Sequence, residues 1–336
     1  MDIKDTVIRL SEAYGASGRE DGAAQLALEM LREYCPDAEY INGNVTGFTG
    51  KRREGRPLLV LDAHLDQIGF IVTAVTDDGF VKFSNLGGID RRLLPAQPVV
   101  IHGTRPVSGV ICSIPPHLSK GGAGVPEYDD TAIDTGMTGE ELRSIVSPGD
   151  AVTFDVKCAS LAGERLTGGA LDDRCGMAAI LYALDLLKGC PTKYDVAVIF
   201  SAQEELGERG AAIGAYALDA DIALAVDVSF ATAPGEDPEK CGVLGKGPMI
   251  GISPSLSREV TNDLIDTAKT AGIPWQPEVM NGLTSTNADR YSVAREGAKT
   301  CTVSIPLRNM HTPAEVIDLT DVELTGRLIA EYIKEA

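Results

Sequence analysis

Two adjacent glutamates, Glu204 and Glu205, close an apolar, β-branched run that begins at Val196. Such a run reads as a buried strand, and carboxylates just past a strand's C-terminal end stand where α/β proteins place their chemistry. Side by side, two acids repel unless a cation neutralises or separates them. The chain offers further groups able to hold one: His64 and Asp66 in Asp62-Ala63-His64-Leu65-Asp66, Asp172 and Asp173 in Ala170-Leu171-Asp172-Asp173-Arg174, Asp227 in Ala225-Val226-Asp227-Val228, and His311 in Asn309-Met310-His311-Thr312-Pro313. Imidazole and carboxylate ligands without thiolate suit Zn, Co or Mn. Two divalent ions, three carboxylates and one hydroxide sum to zero charge, so the group can be buried. The spare carboxylate of the glutamate pair is then free to act as general base on a bridging water whose pKa the ions lower.

These residues are far apart in sequence, so the fold must gather them. Asp66, Glu204–Glu205 and Asp227 each follow a short apolar run, and His311 follows the run ending at Ile305. In an open α/β sheet such strand ends converge on one crevice. Helical spacing marks residues 3–14, 21–34, 174–187, 259–271 and 318–334. Strands alternating with helices predict a mostly parallel sheet with helices on both faces. Between about 68 and 162 the texture changes to short strands: a hairpin over 70–83 turning at Asp77-Asp78-Gly79, then 99–102, 109–112 and 151–156. One short helix is expected near 139–145, and Gly121-Gly122-Ala123-Gly124 with Glu127-Tyr128-Asp129-Asp130 reads as a mobile loop. The expected organisation is a body of residues 1–67 and 163–336, with 68–162 as a small β-rich insert.

The totals narrow the function. A net charge of −19 over 336 residues argues against nucleic acid or an anionic membrane as partner. The N-terminus lacks the apolar stretch of a signal peptide, and the most apolar window, 58–75, is broken by Asp62, His64, Asp66 and Gln67. Seven dispersed cysteines, with no Cys-x-x-Cys, read as reduced thiols in a cytoplasmic protein. Each site signal also has a bland reading. Asp172-Asp173 could cap the helix that follows, and Glu204–Glu205 could form a helix's first turn. His102 and His117, and the acidic pairs at 77–78, 129–130 and 140–141, are taken as ordinary hydrogen-bonded or solvated residues.

The segments Ala63-His64-Leu65-Asp66-Gln67-Ile68-Gly69-Phe70, Ala170-Leu171-Asp172-Asp173-Arg174-Cys175-Gly176, Gln203-Glu204-Glu205-Leu206-Gly207-Glu208-Arg209-Gly210-Ala211, Val226-Asp227-Val228 and His311-Thr312-Pro313, in this order, resemble the M42 metalloaminopeptidases, the glutamyl and tetrahedral aminopeptidase group. Gly109-Val110-Ile111 and Pro115-Pro116-His117-Leu118 extend the likeness into the insert. The resemblance implies a zinc-exopeptidase-like body with a PDZ-like insert. It implies two divalent ions, Zn or Co and possibly Mn, one bound by His64, Asp172 and Asp227, the other by Asp172, Glu205 and His311. Glu204 would be the general base, and Asp66 would orient His64 through its other ring nitrogen. The α-amine of a short peptide would be held near the metals and its scissile carbonyl polarised by one of them. Homo-oligomers, dodecamers with active sites facing an internal cavity, are also implied. Gln67 and Asn287 stand where the family usually has acids, which bears on substrate preference or pH optimum. A preference for acidic N-termini would need a cationic pocket, for which Arg290, Arg295 and Arg308 are candidates.

Two other readings compete. A glycosidase would flank a sugar cleft with two carboxyls and leave both histidines without a role, and one Trp with 5% aromatic residues offers few sugar platforms. A non-catalytic relative would be expected to have lost Glu204 or a ligand, and all are present.

Overall fold

The computed structural model describes residues 1–114, 117–118 and 124–335. Residues 121–123 of the loop expected to be mobile, and Pro115-Pro116, therefore lie outside the described residues. At the centre of the main sheet four strands run parallel: Asp195–Ser201, Leu58–His64, Ile222–Phe230 and Lys299–Leu307. Every residue of Leu58–His64 is buried, which accounts for its unbroken apolar sequence. Alternate residues face opposite layers. Leu59, Leu61 and Ala63 join a core shared with Ile3–Ser11, Asp21–Leu31, Leu171–Leu186, Arg258–Thr270 and Leu319–Ile333. Leu58 and Val60 pack instead with Ala211, Ala215 and Tyr291, from the helices Arg209–Leu218 and Ala288–Val293. Helices thus cover both faces, as the alternation predicts.

The sheet's edges differ from the expected parallel pattern, making it mixed. Asn44–Phe48 pairs antiparallel with Asp195–Ser201 and turns back through Asn42-Gly43 to Glu39–Ile41. Both turn residues have positive φ, 54° and 86°, as a two-residue hairpin requires. At the opposite edge Met249–Ile252 runs antiparallel to Lys299–Leu307 and carries Gln276–Val279 alongside.

Six strands form a closed barrel, in the order Gly69–Val75, Phe80–Leu86, Ile133–Asp134, Pro106–Ile111, Pro98–His102 and Ala151–Phe154. Phe70, Val72, Val81, Phe83, Val99, Ile101 and Val152 fill it with a core of its own. Closure removes the exposed edges that such short strands would otherwise present. A closed barrel is therefore what stands where the resemblance implied a PDZ-like insert. Helix Gly139–Arg143 rests on a capping box between Thr138 and Glu141. A separate three-stranded sheet joins Ala159–Ser160, Arg165–Gly168 and Glu315–Asp318.

Candidate metal centre

The strand ends bring together the residues that the sequence singles out. His64 ends its strand wholly inside the protein, and Ser201, which precedes the glutamate pair, is its register partner. Asp227 is the residue opposite Ser304 in the neighbouring parallel pair. Together with Asp172, Glu204, Glu205 and His311 these line one cleft of about 600 Å³. Asp66 is fully buried beneath it.

Asp172 occupies the middle. Its Oδ1 lies 3.0 Å from His64 Nε2 and its Oδ2 3.4 Å from His311 Nε2. Glu205 Oε1 completes the second half, 3.1 Å from the same His311 nitrogen. The ligand atoms of Asp172, Glu205 and His311 all lie within 4.8 Å of one another. Around His64 the grouping differs from the expected one: Asp173 and Asp227 come within that distance of it, as do Glu204 and Glu205. Asp173 is already engaged: it accepts from the His64 amide at 3.1 Å and from the Gly176 amide at 3.2 Å. The capping reading of the aspartate pair is thus right for Asp173, while Asp172 faces the cleft. Glu204 and Glu205 precede the helix that starts at Arg209 and are not its first turn.

The imidazole of His64 discloses what the cleft demands. Its Nδ1–H donates to the Asp66 carbonyl at 3.0 Å, with the Asp66 carboxylate 3.5 Å away. This leaves the Nε2 lone pair aimed at a carboxylate oxygen, a repulsive contact unless a proton or a metal cation stands between. The carboxyls repeat the demand. Burial, with the carboxylates of Asp227, Glu205 and Asp172 nearby, pushes Glu204 up to about 9. Burial and Asp172 push Asp227 up to about 8. Burial would lower the histidines, but bonds to Asp172 and Glu205 outweigh it and raise His311 to about 11. Acids that resist ionisation and bases that resist deprotonation, packed together, describe a site short of positive charge. Imidazole and carboxylate donors in these groupings fit divalent metal ions.

Several contributions to the site were not read from the sequence. Asp66 does more than face His64: its two oxygens accept from the Glu204 and Glu205 amides at 2.9 and 3.1 Å. Glu315, fully buried, accepts from the Leu171 and Asp172 amides at 2.8 and 3.2 Å and from the His311 amide at 3.0 Å. It ties both ends of the second half together. A carboxyl four residues past a candidate ligand His is at most a weak sequence signal. Arg174, also fully buried, lies near Asp66, Glu20 and Asp173 and bonds to the Leu10 carbonyl at 2.7 Å. Gly15 lets it in, since a Cβ there would come within 2.6 Å of Arg174 Nη2. Ala170, Gln203 and His311 adopt φ of 54°, 55° and 61°, an arrangement costing about 1–2 kcal/mol per residue. The barrel also reaches the site, for a Cβ on Gly88 would stand 3.2 Å from His311 Nδ1.

The remaining candidates fall elsewhere. His102 stacks on Tyr14 with ring centroids 3.6 Å apart, and His117 is exposed. Gln67 lines a separate small cleft with Tyr14 and His102. Asn287 is buried behind the site, donating to Asp62 at 3.0 Å and Ser201 at 2.8 Å. Arg290 pairs with Glu208, Arg295 with Asp219, and Arg308 donates to the Thr232 carbonyl. None of the three arginines lines the cleft.

An α/β body whose strand ends gather histidines and carboxylates in these groupings is the framework of a metal-dependent hydrolase. Residues 43–328 match the M42 glutamyl aminopeptidase family. The chain belongs to this family, and with it to the enzymes that hydrolyse peptide bonds. It is 30% identical to the lysyl aminopeptidase of Pyrococcus furiosus, over 97% of this chain and 95% of that one. An aminopeptidase from the archaeon Desulfurococcus kamchatkensis superposes with a TM-score of 0.92 at 33% identity, covering 99% of this chain and 95% of its own. A TET peptidase of Pyrococcus horikoshii, able to assemble into a tetrahedron or a large octahedral shell, matches over 100% of both chains with a TM-score of 0.88 at 29% identity.

Proposed function

We propose that this chain is a two-metal aminopeptidase that removes N-terminal residues from short peptides, with Glu204 as its general base. The observation that carries this reading is Asp172, set between two imidazoles at 3.0 and 3.4 Å. His64, Asp172 and Asp227 would hold one divalent ion, and Asp172, Glu205 and His311 the other. Zinc, cobalt or manganese bound there supplies Lewis acidity toward the scissile carbonyl and lowers the pKa of water. The chain's own residues do the rest. Asp66 fixes the His64 tautomer and aims the glutamate pair through their amides. Among the described residues, the Glu204 carboxyl accepts no protein hydrogen bond, so it is free to take a proton from water and return it to the leaving amine. Its raised pKa, about 9 in the absence of metal, belongs to a group able to hold that proton.

The body is read as residues 1–67 and 163–336, and the insert as 68–162. The TET relative's assembly supports a homo-oligomer, in dodecameric form by family resemblance. Exposed apolar side chains such as Tyr216 and Val293, 65% and 75% accessible, are consistent with covered faces in an assembly. All seven cysteines are free, which accords with a cytoplasmic setting. No helix among the described residues is long and apolar enough to cross a membrane.

The test is release of the N-terminal residue from aminoacyl p-nitroanilides and short peptides. Chelated protein is to be compared with protein reloaded with Zn²⁺, Co²⁺ or Mn²⁺, with Glu204→Gln as control. Turnover that requires metal and collapses in the variant is expected. A fully metallated wild-type protein that cleaves nothing would refute the reading.

A further inference from the structure

Past Asp227 the cleft continues toward the sheet edge, where it meets a carboxyl that the proposed hydrolysis does not use. Glu278, in the edge strand Gln276–Val279, lines this end with Ser229, Phe230 and Met280. Its Oε2 accepts from Ser304 Oγ at 2.6 Å, and the Ser229 hydroxyl also bonds to the carboxyl. The strand register places this carboxyl beside the proposed metal centre. Ser304 is the direct partner of Asp227, and Ser229 lies two residues beyond Asp227 on the same strand. The two hydroxyls that hold the Glu278 carboxyl are thus immediate strand neighbours of Asp227.

Two neutral hydroxyls are weak company for a carboxylate withdrawn from water. Burial pushes the Glu278 pKa up, and among the described residues no cation joins the groups that act on it. Lys240, the one lysine lining the cleft among the described residues, is 82% exposed and turns toward Asp237 at 3.6 Å. The walls between, Val228, Phe230, Met280 and Met310, are apolar. An apolar passage ending in an uncompensated carboxyl matches a side chain with a long aliphatic stem and a cationic tip.

We propose that Glu278 is the specificity-determining residue for the substrate's first side chain, selecting peptides that begin with lysine or arginine. The proposal rests on the aminopeptidase reading above. An acidic first residue would instead meet Glu278 and Glu239 in a protein of net charge −19. The three arginines considered for an acid-binding pocket are engaged elsewhere.

Lysine and norleucine differ at the tip by the ammonium group, so their ratio isolates the contact. Two measurements are made on metal-loaded wild-type protein and on Glu278→Gln: kcat/KM for lysyl and norleucyl p-nitroanilides, and calorimetric binding of lysine amide and norleucine amide. The wild type is expected to favour lysine in both by at least about tenfold, and the variant to lose that preference. A wild type indifferent to the ammonium, or a variant that keeps the ratio while losing activity on both substrates, would overturn the proposal. Binding preference without turnover would refute the aminopeptidase reading and leave the pocket standing. Turnover of norleucyl substrate without lysine preference would do the reverse.

Discussion

His64 and His311 approach the same aspartate from opposite kinds of structure. His64 ends a central strand, its side chain is 2% exposed, and the parallel ladder beside Asp195–Ser201 fixes its backbone. His311 stands on a loop with φ of 61° and is 34% exposed. What the sheet does for the first, Glu315 does for the second, binding the His311 and Asp172 amides to one carboxyl. A ligand on a strand end is positioned by the sheet's own hydrogen bonds. One on a loop needs a dedicated acid, and that acid must itself be buried.

The sharpest way to break the comparison is to remove what the halves share. Asp172→Ala is expected to lower kcat/KM at least about a thousandfold, ~4 kcal/mol of transition-state stabilisation, and to abolish binding of both metals by mass spectrometry. Loss of only one ion would show that the halves are independent. The two histidines should then separate by stability. In metal-free protein His64→Ala is expected to cost about 3–5 kcal/mol in denaturant titrations, because it strands buried carboxylates. His311→Ala should cost about 1 kcal/mol or less, since the loop can admit water. Equal losses would erase the distinction. Glu315→Gln places an amide group where an acceptor is needed. Affinity at the His311 half should fall about 10–100-fold in competition titrations with a chelator, while the His64 half keeps its ion.

The smallest expected effect is on pH dependence. Asp227 and Glu204, with ordinary values of 3.8 and 4.5, are raised in the metal-free fold to about 8 and about 9. Between those limits the native state binds more protons than the unfolded one, so stability falls as pH rises. The metal-free melting temperature should therefore decline from about pH 4 through about pH 9. Metal-loaded protein should show a flatter profile, since the ions replace the protons.

What could be read in advance follows the same divide. Leu58–His64 and the run from Val196 were legible because burial on both faces leaves no polar alternation to confuse the pattern. The ligand types were legible because few side chains bind divalent metals and only four histidines exist. Asn42-Gly43, a strong hairpin signal, went unread and with it the antiparallel edge of the sheet. Helix Arg209–Leu218 escaped notice because its glycines and alanines carry little periodic contrast. The contributions of Glu315 and Gly88 were not legible, since each arises from contacts between segments that sequence does not place side by side. Gln67 and Asn287 were expected to act near the metals. One lines a separate cleft, whereas the other stands beside the site, bonded to Asp62 and to Ser201, the register partner of His64.

The shared aspartate is tested most directly by anomalous diffraction from crystals of zinc-loaded protein. Two peaks are predicted, each about 2.0–2.2 Å from a different oxygen of Asp172, with His64 Nε2 on one and His311 Nε2 on the other. A single peak, or one held by His64, Asp173 and Asp227 with Asp172 unengaged, would contradict it.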